Sequence, residues 1–395
     1  MIRVKNGPVG QFKIKSMRKI SDAERTPSAS CCSGGAGDGA DKPSCCGPPV
    51  SKGGGTITDK VPGFIEWLDT PSGHVPRIAS KLNPGDHLGA CKVRWGIGRM
   101  DFIVPPGLYA VGHPTAADPV LVTANYKMSY DILRQALDGR NVWLLILETY
   151  GVNVWCAAGK GSFGTAELVR RVKVTGLDRI VTHRLLILPI LGAPGVAAHE
   201  VVRRSGFKVS YAAIRAADLP EYLDNGMVTT AEMRRLTFTF YERLVLVPVE
   251  LVTSLKSVAI IGVAVLLLMS LFGSPAAGIA ALAAYLIAWL SGVVIGPLLL
   301  PWLPGRSFAV KGTVAGLICS SLFYLVADGA SWNIAIVAAL FFAMPAVSAF
   351  HTLNFTGCTT YTSRSGVKKE MRLALPAMGG ALVISLGLLL AGSFL

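Results

Sequence analysis

One cysteine of this chain stands among residues that could make its sulfur reactive. Cys156 lies in residues 153–160, whose sequence is Asn153-Val154-Trp155-Cys156-Ala157-Ala158-Gly159-Lys160. We expect Lys160, or the N-terminus of a nearby helix, to lower the pKa of the thiol, and Asn153 could donate a hydrogen bond to the thiolate. Trp155 could form one wall of a site for a planar ligand. A thiolate in such a setting binds a metal or attacks an electrophile, whereas an isolated cysteine is more often a small buried hydrophobe.

A glycine-rich segment follows the turn that we predict around Cys156. Its sequence, Gly159-Lys160-Gly161-Ser162-Phe163-Gly164, formally matches the glycine pattern of dinucleotide sites. Such sites place an acidic partner about 20 residues further on, and Asp178 comes too early for that. We therefore favour a loop that lets some other large planar ligand approach closely, with a simple tight turn as the alternative. Thr165 is predicted to cap the following helix, with Glu167 in its first turn.

Short apolar runs alternate with helical patterns over residues 61–251. Strands are predicted at 119–124, 142–147, 185–190 and 207–211, and helices at 130–137, 166–174 and 196–205. Such alternation is typical of an α/β domain with a parallel, Rossmann-like sheet, which binds ligands at the carboxyl ends of its strands. The sequence therefore predicts a ligand-binding α/β domain with Cys156 at such an end.

The C-terminal part of the chain is almost free of charge. No charged side chain occurs between Lys256 and Arg306, only Asp328 occurs between Lys311 and Arg364, and none follows Arg372. Stretches of this length are stable in lipid or in a very large core. We predict an all-α polytopic membrane domain over residues 252–395, with five transmembrane helices at about 257–272, 276–300, 313–327, 332–350 and 373–395.

The distribution of charge predicts how the chain lies in the membrane. Lysine and arginine precede the first, third and fifth predicted spans, which marks that side as cytoplasmic. Residues 1–60 are rich in Gly, Ser, Pro and Lys, lack the pattern of a secretory signal, and cannot bury enough apolar surface to fold alone. We expect a multi-pass protein of the inner, cytoplasmic membrane. Its disordered tail and α/β domain would lie in the cytoplasm and its C-terminus outside.

The net charge of +14 raises the question of a nucleic-acid partner. The sequence has no recognition-helix, zinc-finger or aromatic RNA-binding signature, and the basic tail and loops explain much of the excess. Attraction to anionic headgroups is the better interpretation. We expect membrane lipid as a partner and no nucleic acid.

Several segments resemble a known family, the mercury-methylating corrinoid proteins. Residues 153–165 resemble the cap-helix signature of this family. Residues 191–199 and 205–209 resemble a second sequence motif of the family, and residues 353–357 and 362–371 resemble the signature of its membrane domain. Residues 119–126, with Thr123 and Asn125, resemble the corrinoid domain of the corrinoid iron-sulfur protein in acetyl-CoA metabolism. The resemblance extends from about Pro105 to the C-terminus and does not include the tail.

The resemblance implies a corrinoid-dependent methyltransferase that forms methylmercury from inorganic Hg(II). Cobalamin or a related corrinoid would bind base-off, with the Cys156 thiolate as the lower axial ligand of cobalt, and its methyl group would pass to Hg(II). Other residues that the resemblance implies as cofactor contacts are Asn153, Val154, Trp155, Ala157, Ala158, Gly159, Lys160, Gly161, Gly164, Thr165, Thr123, Asn125, Gly192, Ala193 and Gly195.

The same resemblance implies two partner systems. No cysteine run in this chain has the spacing of an iron-sulfur site, so the electrons that return cobalt to its reactive state must come from elsewhere. The family implies a small ferredoxin with 4Fe-4S clusters as electron donor, and a folate-linked methyl donor to reload the cofactor.

Two other functional classes remain open. One is a membrane-anchored corrinoid methyl carrier that serves another acceptor in one-carbon metabolism. The other is a non-enzymatic membrane protein, either a corrinoid-binding receptor or a transporter. Transport is less favoured because the predicted spans contain no lysine, arginine, glutamate or aspartate to line a conducting route.

Two vicinal cysteine pairs, Cys31-Cys32 and Cys45-Cys46, stand in the Gly-rich tail. They could capture Hg(II) by two-coordinate thiolate binding and carry it towards the cobalt on a flexible arm. The alternative is a loosely constrained tail whose cysteines bind metal adventitiously, and the sequence supports both equally.

Replacing all four tail cysteines with serine distinguishes these two readings of the tail. If the pairs deliver mercury, methylmercury formation by the purified protein falls at low Hg(II) and recovers at high Hg(II), since a capture arm matters only when mercury is scarce. Alanine at Ser30, Ser33 and Ser44 controls for changes to the tail. Equal rates for the cysteine variant and the wild type at low Hg(II) would remove the capture role.

Overall fold

The structure is a computed structural model that describes residues 61–359, 362 and 364–394. The predicted tail, with its four cysteines, lies outside the described residues.

Seven strands form one mixed sheet in the described part of the chain. They are β1 Phe64–Thr70, β2 Gly73–Ile78, β3 Gly107–Val111, β4 Val120–Ala124, β5 Val142–Leu147, β6 Leu185–Leu188 and β7 Lys208–Tyr211. Their order across the sheet is β1-β2-β3-β5-β4-β6-β7. The pairs β1/β2 and β3/β5 are antiparallel, and the other neighbouring pairs are parallel.

The prediction of a parallel sheet is correct for part of this structure only. The four strands predicted from sequence correspond to β4 to β7, which are all parallel to one another. The hairpin β1/β2 and strand β3 were not predicted, and they make the sheet mixed. The hairpin gives a weak sequence signal because β1 is an edge strand without regular alternation of exposure, and Pro76 interrupts β2.

Seven helices belong to this part of the fold. They are α1 Pro84–Arg94, α2 Lys127–Ala136, α3 Val154–Lys160, α4 Thr165–Val174, α5 Leu177–Ile180, α6 Ala198–Ser205 and α7 Leu219–Asp224. The predicted helices correspond to α2, α4 and α6, and their observed starts differ by one to three residues from the predicted ones.

Strand β5 shows why the sheet is covered on both faces. All of its residues are buried, and successive side chains point to opposite faces. Trp143, Leu145 and Leu147 join the core formed with α4 and α6, whereas Leu144 and Ile146 join the core formed with α2 and α7. A continuous run of apolar residues is therefore the pattern that this position in the sheet requires.

A buried ionic network ties α1 to α2. Lys127 Nζ lies 2.6 Å from both Asp86 Oδ1 and Asp131 Oδ2, and the guanidinium of Arg134 contacts both carboxylates at 2.6 and 2.9 Å. Arg134 is fully buried and also donates to the carbonyl oxygens of Ala79 and Lys81. Each charge thus has partners that offset its removal from water.

The remaining helices form the apolar C-terminal part. They are α8 Phe240–Leu244, α9 Val247–Phe272, α10 Pro275–Leu290, α11 Gly296–Leu298, α12 Phe308–Val326, α13 Ile334–Asn354 and α14 Arg364–Phe394. Five segments among the described residues are long and apolar enough to cross a membrane, namely Phe240–Phe272, Pro275–Leu298, Phe308–Val326, Ile334–Gly357 and Ser365–Gly392. The chain is therefore a membrane protein by length and composition of its helices, and five spans were predicted.

Two helices extend beyond the bounds predicted for the first and last spans. Helix α9 begins at Val247, well before the predicted start, and α14 begins at Arg364, so the lysines at 368 and 369 lie on a helix rather than in a loop. Hydropathy marks where a helix becomes apolar, and both helices continue beyond that point towards water.

Removing Arg134 tests the importance of the buried network. Arg134→Met leaves Asp86 and Asp131 with Lys127 alone, so we expect a loss of about 3–5 kcal/mol in stability, the usual cost of breaking a buried ion pair. Thermal unfolding of the detergent-solubilised protein measures it. Arg140→Met is the matched control, because the Arg140–Asp224 pair is exposed and should change stability little.

The effect of Arg134→Met should also depend on pH. Burial raises the pKa of Asp86, but hydrogen bonds from Lys127, Asn83 and Arg134 lower it more, so it lies below the usual 3.8. A lowered pKa stabilises the fold above the unfolded value, and that stabilisation is lost as pH falls through the folded value. The difference between wild type and variant should therefore shrink below about pH 4. A difference that stays constant with pH would contradict this role of Asp86.

Candidate functional site

A cavity of about 410 Å³ lies at the carboxyl ends of the parallel strands. After β4 the chain passes through α2 to β5, which lies on one side of β4 in the sheet. The next strand, β6, lies on the opposite side of β4. Open α/β sheets bind ligands at such a switch point. The volume is within the range of about 300–1,000 Å³ that is usual for ligand pockets.

Several separate parts of the chain form the cavity wall. They include Leu121 and Thr123 of β4, Ile132 of α2, Trp155 and Cys156 of α3, Arg99, Arg215, Leu246 and Gly357. Most of the wall is aliphatic, and Leu246 and Gly357 come from the membrane part. The predicted position of Cys156 at the strand ends agrees with this placement.

Cys156 lies on a short helix, not in the turn that was predicted. Helix α3 begins after Asn153, whose side-chain Oδ1 accepts a hydrogen bond from the backbone N–H of Cys156 at 2.9 Å. Gly161 ends the helix in the left-handed conformation, with φ of 85°. Asn153 is thus an N-cap through its side-chain oxygen. As expected, its side chain also forms a hydrogen bond with the thiol, and this bond lowers the pKa of Cys156.

Two glycines of a short 3₁₀ helix, Ile190–Gly195, allow this helix to pack close to α3. A Cβ atom at Gly195 would lie 2.1 Å from the Phe163 carbonyl oxygen and 3.0 Å from Ala158 Cα. At Gly192 it would lie 2.6 Å from the Phe163 ring. These glycines are needed because a side chain would clash with the neighbouring backbone and ring. This packing is enough to explain why glycines stand near Cys156, and no contact with a ligand is required.

Asn125 organises the turn that leads to the helix. Its side chain is buried, and Oδ1 accepts from Thr149 N at 3.0 Å, Thr149 Oγ1 at 2.8 Å and Gly151 N at 3.1 Å. Its Nδ2 donates to Glu148 Oε1 at 2.7 Å. We had predicted a cofactor contact for Asn125, but the structure places it beneath the turn, outside the cavity wall. It acts on Cys156 by positioning the segment before Asn153.

The predicted cap by Thr165 is also wrong. The N-cap of α4 is Gly164, and Thr165 Oγ1 accepts a hydrogen bond from Ala197 N at 2.8 Å instead. Glu167 does lie in the first turn, as predicted, and its carboxylate accepts from the Glu148 N–H and pairs with Arg171 at 2.7 Å. Both side chains therefore tie α4 to the ends of neighbouring elements.

The pKa of the Cys156 thiol is raised, contrary to the prediction. Burial raises it most, while the charge of Lys160, the Asn153 side chain and the charge of Arg99 act in the opposite direction. The half-buried sulfur is thus a thiol at neutral pH unless a cation replaces the proton.

The structure divides the predicted contacts into two groups. Thr123, Asn153, Val154, Trp155 and Cys156 line the cavity. The others pack behind it or lie at the far end of α3, and Ala157 and Ala158 are buried in the core. These are Ala157, Ala158, Gly159, Lys160, Gly161, Gly164, Thr165, Asn125, Gly192, Ala193 and Gly195.

Arg99 and Arg215 were missed by the sequence analysis. Arg99 follows α1 and Arg215 follows β7, and both line the cavity. Their positions depend on how distant segments pack, and neither stands in a motif. Only Arg215 gave a usable signal, as a basic residue four positions after the end of a predicted strand.

Within the described residues, no group of three or more His, Cys, Asp or Glu side chains could hold a metal ion. Cys156 therefore stands alone on the cavity wall as a soft donor. A single donor suits a metal whose other positions are filled by a ligand that the protein does not supply.

Asn125→Ala tests the positioning role. The change leaves the N–H groups of Thr149 and Gly151 without their acceptor, at a cost of about 1–3 kcal/mol for each buried donor. Hydrogen exchange over residues 149–156 should become faster. Asn141→Ala is the control, because Asn141 accepts only from His113 N at an exposed position. Unchanged exchange in Asn125→Ala would show that the turn holds itself.

Part of this chain, including Cys156, is similar to known proteins. Residues 98–210 match the model of the CO dehydrogenase/acetyl-CoA synthase delta subunit. The gamma subunit of the acetyl-CoA decarbonylase/synthase complex from Methanopyrus kandleri is 33% identical over 124 residues, or 31% of this chain and 26% of that protein. The subunit from Archaeoglobus fulgidus is 32% identical over 108 residues, or 27% and 23%.

The match spans about a quarter of the length of these relatives. Residues 98–210, which match the family model, include β3 to β6, most of β7, most of the cavity wall and Cys156, but neither the β1/β2 hairpin nor the membrane helices. Part of the chain is thus similar to subunits of the CO dehydrogenase/acetyl-CoA synthase and acetyl-CoA decarbonylase/synthase complexes.

Proposed function

We propose that this chain is a membrane-bound, corrinoid-dependent methyltransferase whose acceptor is inorganic Hg(II). The observation that carries the proposal is the place of Cys156. Its half-buried sulfur lies on the wall of an aliphatic cavity at the switch point of an α/β sheet, on a helix held by Asn153.

The residues of the cavity fit a corrinoid. A corrin ring fills the equatorial positions of its cobalt, so the protein needs to supply only one axial donor. The described residues offer that donor in Cys156 and no competing cluster of ligands. Trp155 and the aliphatic side chains of Leu121 and Ile132 provide apolar surface for the faces of a flat macrocycle.

When bound, the corrinoid would supply a methyl group to the acceptor on the face opposite the sulfur. The chain contributes position and environment. Asn153 and the turn under Asn125 fix the direction of Cys156, while the aliphatic wall limits access of water. Arg99 and Lys160 place positive charge near the sulfur and favour its anionic form.

The choice of acceptor rests on the chemistry of sulfur and mercury. An anionic sulfur donor beneath the metal favours departure of the opposite group with its electron pair, and Hg(II) is a soft electrophile that accepts such a group. The resemblance of residues 153–165 to the cap-helix signature of the mercury-methylating family supports this choice.

The comparisons favour a second candidate in which the acceptor differs. The matched relatives are subunits of acetyl-CoA decarbonylase/synthase complexes, which supports a role as a methyl carrier in one-carbon metabolism. The two candidates share cofactor and sulfur ligand and differ in the acceptor. For transfer to Hg(II), in which the methyl group leaves with its electron pair, a ferredoxin with 4Fe-4S clusters would return the cofactor to its reactive state, and a folate-linked donor would reload it. A carrier that passes its methyl group to a nucleophile would keep the electron pair, so it would need the methyl donor but no reduction at each transfer.

Replacing Cys156 tests the proposal. We expect Cys156→Ala, reconstituted with cobalamin without oxygen, to retain much of the cofactor through the apolar wall but to lose methylmercury formation by at least tenfold. Cys156→His should bind cobalamin with a different visible spectrum, because nitrogen replaces sulfur on the metal. Absorption spectra and assays with Hg(II) measure both.

Cys91→Ala is the matched control, since Cys91 is exposed on α1 and is not part of the cavity wall. Identical visible spectra for wild type and Cys156→Ala would contradict sulfur ligation. Transfer to another methyl acceptor with none to Hg(II) would select the second candidate.

A further inference from the structure

The segment that follows α1 combines exposed apolar side chains with positive charge. Trp95 is 47% exposed, Ile97 62% and Met100 70%. Lys92 and Arg99 are exposed between them and have no ion-pair partner among the described residues. We refer to residues 92–100 as the basic apolar segment.

Two glycines give the segment its shape. Gly96 and Gly98 have φ values of 76° and 62°, in the left-handed region that favours glycine. The resulting tight turns leave about half or more of each of the side chains of Trp95, Ile97 and Met100 exposed. An exposed apolar cluster of this kind on a soluble surface marks a site of interaction.

The segment lies against the first apolar helix. A Cβ atom at Gly96 would lie 3.4 Å from Val252 Cγ1 on α9. Lys256 is the last charged residue of α9, which carries no charge from Ser257 to its end at Phe272. Val252 lies four residues before Lys256, or about 6 Å along the helix at about 1.5 Å per residue. Val252, and with it the basic apolar segment, is therefore at the headgroup level, next to the apolar part of α9.

We propose that the basic apolar segment binds the surface of an anionic phospholipid bilayer. Trp95 would lie at the headgroup level, where tryptophan is enriched, while Ile97 and Met100 enter the acyl boundary. The positive charges of Lys92, Arg94 and Arg99 attract anionic headgroups. Continuity with α9 favours lipid as the occupant, because any bilayer around α9 must pass beside Gly96.

Binding of the basic apolar segment to lipid also affects the cavity. Arg99 belongs to the segment and also lines the cavity wall. Binding of the segment to lipid therefore fixes one wall of the cavity at the membrane surface. The proposal does not depend on the identity of the cofactor or of the acceptor.

Fluorescence quenching by brominated lipid tests the proposal in the full chain. The protein is reconstituted in nanodiscs of phosphatidylcholine with or without phosphatidylglycerol, and bromine atoms are placed near the headgroup. We expect the intensity quenched by bromine to fall in Trp95→Phe, since one of the seven tryptophans leaves the bilayer surface. Trp67→Phe is the matched control, because Trp67 is 41% exposed on the edge strand β1 and should leave the quenched intensity unchanged.

The charge is tested separately. Lys92→Glu should reduce the quenching of Trp95 at least twofold in discs with phosphatidylglycerol. Lys173→Glu makes the same change at an exposed position of α4 and should not. Circular dichroism spectra show that each variant is folded.

Three results would overturn the proposal. Trp95 could be quenched by acrylamide and not by bromolipid, which would place it in water. It could be shielded from both, which would show that protein, such as a second copy or the tail, covers it. Equal bromolipid quenching in neutral and anionic discs would contradict recognition of anionic headgroups.

Discussion

The position of the Cys156 sulfur depends on the hydrogen bonds of one buried amide. Asn125 lies at the end of β4 and accepts three hydrogen bonds from the turn after β5, at Thr149 and Gly151. The turn includes Tyr150 with φ of 57°, a strained conformation for a non-glycine residue. Each buried donor without a partner would cost about 1–3 kcal/mol. The hydrogen bonds to the Asn125 amide therefore stabilise this conformation of the turn. Asn153 and the start of α3 follow directly.

The cavity wall includes residues from the membrane part of the chain. Leu246 precedes α9 and Gly357 follows α13, and both face the space beside Cys156. The α/β sheet supplies the floor and one wall, which is the part shared with the relatives. The membrane helices supply a wall that the matched region lacks. A ligand bound here would therefore contact both parts, which gives the membrane helices a role in the site beyond anchoring.

The sequence predicted best where one local pattern determines the structure. Strands β4 and β5 are buried on both faces, so their composition alone marks them, and the uncharged stretches mark the five spans. The edge hairpin β1/β2 lacks such a pattern. Cys156 was expected in a turn because Gly159 and Gly161 suggest one. The side chain of Asn153 and the packing of Gly195 against Ala158 favour a helix instead. Those contacts join segments that are distant in sequence.

The pKa of the Cys156 thiol was predicted wrongly because it also depends on contacts between segments that are distant in sequence. Lys160 is visible four residues after Cys156 and acts as expected, but the burial of the sulfur depends on the whole fold and has the larger effect on the pKa. Burial penalises an unpaired thiolate because it removes the water that would stabilise the charge. A cation bonded to the sulfur removes that penalty, and the low dielectric then strengthens their attraction. The cavity therefore disfavours the unpaired thiolate and keeps Cys156 protonated. Such a site is suited to hold a cationic metal, because the cation pairs with the anionic sulfur.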